Sequence, residues 1–174
     1  MTKKKLKIIS TIIAFLLCFL IHFLYDKFPC FITSIFAPVN ESIWEHMKIL
    51  FTSILFTGVI QKIYVSAKKL KYNNICLSNF TGALLSIPIF LVMFLPIYHF
   101  IGENMPITII IMFITISISE FISYLIMNKP EHKLENTTIL FAIAIYIIFV
   151  ILTYYPPQLG IFKDPTNNLY GITK

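Results

Sequence analysis

The sequence predicts an all-α integral membrane bundle of about five transmembrane helices, with its N-terminus inside and its C-terminus outside. Three observations carry this. Of 174 residues, 57% are hydrophobic and only 13% are charged, about half the charged share of an average soluble domain. Mean hydropathy is +0.82. The apolar residues gather in runs of about 20, the length a helix needs to cross the hydrocarbon core. The chain 1–174 therefore reads as one integral membrane domain, with no room for a sizeable soluble domain beside it.

The first helix is expected at about 7–25. Lys3-Lys4-Lys5 followed by an apolar stretch resembles a signal peptide, but no small-x-small cleavage site follows, so the segment reads as retained. Residues 28–37 are apolar but too short to span, and are expected to pack over the bundle as a re-entrant or interfacial piece. Further helices are expected at about 43–64, 79–101, 106–127 and 137–155. Pro88 and Pro96 each remove a backbone donor within the third and can kink it. Gly102-Glu103-Asn104-Met105-Pro106 reads as a tight turn with Pro opening the fourth. Pro156-Pro157 stops the fifth. The tail 156–174 carries the turn signals Asp164-Pro165 and Tyr170-Gly171 and is expected to fold back as a lid.

All 14 basic residues are lysine. Ten of them (3, 4, 5, 7, 62, 68, 69, 71, 129 and 133) fall on one side of this topology and four (27, 48, 163 and 174) on the other. The positive-inside rule then sets the orientation. Lysine without arginine, with heavy use of Ile, Phe, Asn and Tyr, suggests an AT-rich coding sequence and hence a bacterial cytoplasmic membrane. The net charge of +6 lies in short patches between apolar runs, which argues against nucleic acid as a partner. Cys18, Cys30 and Cys76 form no CxxC pair, and there is no Gly-rich phosphate loop or G-x-S-x-G elbow.

The polar residues concentrate in Pro38-Val39-Asn40-Glu41-Ser42-Ile43-Trp44-Glu45-His46-Met47-Lys48, at the start of the second helix. The topology adds His22 and Asp26 from the first helix and His99 and Glu103 from the third. Ionisable groups at a membrane boundary suggest a functional site. Glu41 and Glu45 are candidate bases, His46 and His22 candidate acids, bases or ligands, and Asn40, Trp44 and Lys48 candidate substrate contacts. A divalent metal on Glu45, His46 and His22 is left open, although the spacing matches no established metal motif. On a helical wheel Glu41, Glu45, Lys48 and Thr52 share a stripe, while His46 lies about 100° round from Glu45. The structural alternative makes Asn40 an N-cap, Glu45–Lys48 a surface pair and Trp44 an interfacial anchor.

Glu120 is the deepest carboxylate, about 21 Å down the fourth helix from Pro106. Ser117, Glu120 and Tyr124 form a stripe expected to face the interior, with Ser123 beside it. Glu120 and Tyr124 read as an ion or proton site or as a contact for a lipid-like substrate. The alternative is a glutamate held protonated or paired with Lys62. The loop bearing Glu131, His132, Lys133 and Glu135 reads as solvated.

The PVNESIWEHMK segment, with the tail Tyr154-Tyr155-Pro156-Pro157 through Lys163-Asp164-Pro165 to Tyr170-Gly171-Ile172, resembles a family of small multi-pass bacterial membrane proteins of unknown function. The resemblance implies a membrane location and no activity. The residues favour a membrane-embedded enzyme acting on a lipid or envelope-linked substrate. A small ion-coupled carrier and a non-catalytic scaffold subunit are the alternatives. The bilayer is the expected partner, and oligomeric state is not legible.

Overall fold

The computed structural model describes residues 1–102 and 104–172, so Glu103 and Lys174 lie outside the described residues. Among these the regular structure is helical: α1 Lys3–His22, α2 Leu24–Lys27, α3 Phe31–Phe36, α4 Ile43–Ala67, α5 Ile75–Ile101, α6 Met105–Met127 and α7 Thr138–Tyr154. Five helices are long and apolar enough to cross a membrane. Their outward faces are apolar, with Leu20, Val92, Phe121 and Ile139 all exposed, while serine, threonine, lysine and glutamate lie inside. That is the pattern expected where lipid surrounds the bundle and polar groups must find partners within it.

α4 is the central helix. It packs on α1, α5 and α6, and the chain beyond α7 closes over its first turns. Its Leu50, Phe51 and Ile54 are fully buried, and Phe51 meets Phe80 of α5 and Phe149 of α7. Close approach is made possible by glycine. A Cβ on Gly58 would lie 2.6 Å from Asn79 Cβ, and one on Gly82 would lie 2.9 Å from the Ser119 carbonyl oxygen. Small residues at such crossings are how membrane helices gain packing. Gly58→Ala and Gly82→Ala are each expected to cost about 1–3 kcal/mol, read as a lowered melting point in mild detergent. Unchanged melting would show that the helices have room to spare.

Several helices start earlier than their apolar runs predict, because caps extend them. Thr2 accepts from Lys5 N–H at 3.2 Å and starts α1 at Lys3. Lys3 Nζ donates to the Met127 carbonyl at the end of α6, 2.7 Å away, a favourable cation at a helix C-terminus. α5 starts at Ile75 rather than 79 because both Glu135 oxygens accept from the Cys76 and Leu77 amides at 2.9 Å. The loop read as merely solvated therefore caps α5. Asn74, at φ 56°, ties the same corner together by accepting from His132 N–H and donating to the Pro130 carbonyl.

The short apolar stretch forms α3, which packs against α4 and α7. The tail folds back as expected. Phe162 stacks near Trp44 at 4.9 Å, Asn40 Nδ2 donates to the Gly171 carbonyl at 2.8 Å, and Lys163 bridges to Tyr170. The bundle thus has a tail end, where α1 finishes and α4 starts, and an amino end, where Lys3 meets Met127.

Candidate functional site

Residues 38–48 divide into two groups that face opposite ways. Ser42, not Asn40, is the N-cap of α4, accepting from Glu45 N–H at 3.4 Å. Asn40 instead accepts from Ser42 N–H at 2.9 Å, an Asx turn that places Glu41 before the helix rather than on its wheel. Glu41 and Glu45 therefore do not share a stripe.

Glu45 and Lys48 point inward. Lys48 Nζ lies 2.5 Å from Glu45 Oε2, 2.9 Å from the Ser34 carbonyl and 3.2 Å from Thr153 Oγ1. Thr153 donates to Glu45 Oε1 at 2.7 Å, and Val39 N–H donates to Oε2 at 3.2 Å. All three ammonium protons and both carboxylate oxygens are engaged. Both side chains are almost fully buried, so the pair is not on the surface. This network ties α3 and α7 to α4 and lines neither cavity described below. Glu45 and Lys48, site candidates in the sequence, here brace α3 and α7 against α4. Trp44 packs between Phe149 and Phe162 and so holds the tail.

Glu41, His22 and His46 come together on the other side. His22 Nε2 lies 3.6 Å from Glu41 Oε1, and His46 Nε2 lies 3.9 Å from Glu41 Oε2. His46 Nδ1 is 2.9 Å from the Ser42 carbonyl, which can only accept, so Nδ1 carries a proton. The backbone contact at Nδ1 thus orients the ring so that Nε2 faces Glu41. The candidate metal set Glu45, His46 and His22 is not assembled. Among the described residues no group of three or more His, Cys, Asp or Glu has metal-holding geometry.

These three residues form the mouth of a cavity of about 180 Å³ between α1, α4, α5 and α6. Its walls are Phe15, Phe19, Phe94, Met112 and Ile49, with Cys18 toward the bundle centre and Lys163 and Pro165 of the tail at the rim. Phe19, Phe23 and Met105 line it and are also exposed, so the cavity opens sideways between α1 and α6. His99 does not line it. Cys30 is exposed nearby on the chain, and the Thr33 hydroxyl bonded to its sulfur holds the thiol below its ordinary value.

Glu120 lies near the amino end. Its partner is Lys7, with Nζ 3.0 Å from Oε2. Lys62 instead donates to Cys76 Sγ. Lys7 also donates to Asn79 Oδ1 at 2.8 Å and to Ser123 Oγ at 2.6 Å. The interior face of α6 carries Thr115, Ser119, Glu120 and Ser123, all buried, whereas Ser117 bonds back to the Phe113 carbonyl. Tyr124 lines a second cavity of about 170 Å³ beside Lys4, Lys7 and Glu120. In sequence Lys7 has the place of a boundary charge, although Lys7, Ser10, Ala14, Cys18 and Ile21 recur at helical spacing as the buried face of α1.

Together these features define an all-α bundle with membrane-length helices, a braced interior and a polar-mouthed apolar cavity. The chain belongs to a Family of unknown function (DUF6512), which it matches over residues 1–172. No curated protein and no solved structure matches it.

Proposed function

We propose that this is a multi-pass membrane protein of the bacterial cytoplasmic membrane that holds a single amphiphile in the tail-end cavity and performs acid–base chemistry on its head group. The observation that carries this reading is one continuous cavity with aromatic and aliphatic walls and a His22–Glu41–His46 mouth. Ligand sites are typically apolar clefts with a few convergent polar groups. The volume slightly exceeds the ~150 Å³ of an apolar cavity that admits benzene, which suits a ring or part of an acyl chain. The sideways opening between α1 and α6 would admit a molecule from lipid. The lysine distribution supports a mouth on the outer face.

His46 would take a proton from the head group through Nε2, with Glu41 stabilising the resulting imidazolium. His22 would hold the other Glu41 oxygen, and Lys163 would meet negative charge on the head group. Met112→Trp, which fills the cavity from α6, is expected to reduce co-purifying amphiphile by about tenfold or more, measured by mass spectrometry of extracted lipid. Equal amounts in wild type and variant would remove the cavity from the account.

A further inference from the structure

Between the two cavities the bundle interior is polar. α4 contributes Ser53, Thr57 and Gln61, four residues apart and on one face. α6 contributes Thr108 at the tail-end cavity, then Thr115, Ser119 and Ser123. Every one of these is buried. Thr108 to Ser123 spans about 22 Å of helix, and Cys18, at the inner end of the tail-end cavity, donates to Ser53 Oγ at 3.1 Å.

The column is unevenly satisfied. Thr57 and Ser86 turn their hydroxyls back onto their own helices, to the Ser53 and Ala83 carbonyls. Thr115 Oγ1 and Ser119 Oγ have no partner among the described residues, and the Glu120 carboxylate beside them faces Lys7 and Gln61. Lys7 differs: its three protons have three takers in Asn79, Ser123 and Glu120. Orphaned buried polar atoms in a folded protein mark positions that water or an ion completes. Thr115 and Ser119 lie on α6 between Thr108, which lines one cavity, and Glu120, which lines the other; Trp44 Nε1 is a further unpartnered atom, at the tail end.

We infer that this column is a hydrated proton path through the bundle, with Glu120 as its proton-binding site and the two cavities as its ends. A proton passed along water beside Thr115 and Ser119 forms an O–H bond on the Glu120 carboxylate. The neutral acid no longer holds Lys7, whose ammonium stays bonded to Asn79 and Ser123. Breaking the same O–H bond toward the second cavity returns the carboxylate and re-forms the pair. The groups facing Glu120 are Lys7 from α1 and Gln61 from α4, both bonded to Asn79 of α5, with Lys4 and Tyr124 in the second cavity. No oxidant or co-reactant is needed; the membrane potential drives the transfer.

The test uses purified protein in phospholipid vesicles that trap a pH-sensitive dye, with a potassium gradient and valinomycin setting the potential. Wild-type vesicles are expected to change pH several-fold faster than protein-free vesicles. Glu120→Gln is expected to lower this flux by about tenfold or more. Thr115→Val is the second variant. It removes a hydroxyl that has no protein partner, so a purely structural role predicts unchanged melting and unchanged flux, whereas the path predicts unchanged melting and lost flux. Wild-type flux at the protein-free level, or flux indifferent to Glu120→Gln, overturns the proposal. Flux that survives Thr115→Val overturns the column as its route. The amount of amphiphile in the same preparations reads the cavity separately, so either reading can fail without the other.

Discussion

Replacing Lys48 with methionine is expected to cost about 3–5 kcal/mol of folding stability, because it leaves the buried Glu45 charge without its counter-ion. Glu45→Ala should cost a similar amount by stranding the ammonium. The double variant Glu45→Gln/Lys48→Met should be milder than the sum of the two, since neither charge is then left alone. The measurement is thermal or denaturant unfolding in detergent across the four-member cycle. The reason lies in geometry. Lys48 and Glu45 draw on Ser34 from α3, Val39 from the turn before α4 and Thr153 from α7, and no polar atom of the pair lacks a partner. A catalytic Glu45 would give the opposite pattern, an intact fold with activity lost. Additive single-variant losses would show that the network is not a unit.

Removing residues 157–174 is expected to be the next most damaging change, and to open the tail-end cavity as well. The tail buries Phe162 against Trp44, worth about 1.5–3 kcal/mol for a fully buried aromatic. Asn40 would lose the Gly171 carbonyl, leaving a largely buried amide donor at a cost of about 1–3 kcal/mol. Lys163 and Pro165 would leave the cavity rim. The expected result is a lowered melting point together with faster modification of a cysteine placed at Ile43 on the cavity wall. Wild-type melting and labelling rates would show that the tail is not a lid.

The two buried ion pairs show how far the sequence could be read. Five apolar runs, the short α3 stretch, the returning tail and the polar concentration at 38–48 were legible, because each rests on local composition and spacing. The sorting of that concentration was not. The Asx turn at Asn40 shifts the helix cap to Ser42 and rotates Glu41 away from Glu45. A wheel that assumes helix from Glu41 onward cannot show this. His22 was assigned to His46 from topology, and Glu41 is the residue that joins them. Glu120 was legible as an intramembrane carboxylate, but its partner was not. Lys7 sits four residues into α1, where a lysine reads as a boundary charge, and only the packing of α1 against α6 turns it inward. Glu135 was hidden for the same reason, since capping α5 depends on contact between two loops distant in sequence.

The same accounting separates the pairs by role. Glu45–Lys48 is saturated with hydrogen bonds and holds three elements together. Lys7–Glu120 joins α1 to α6, and the same face of α6 carries the unpartnered hydroxyls of Thr115 and Ser119.

The most direct test of the central claim is photo-crosslinking with an alkyl amphiphile bearing a diazirine in its chain, applied to the protein in vesicles and mapped by peptide mass spectrometry. The account predicts labelling concentrated on the cavity wall at Phe15, Met112 and Phe94, competed by unlabelled amphiphile and lost in Met112→Trp. Labelling spread evenly over the exposed residues of α1, α5 and α7, with the cavity wall unmarked, would contradict it.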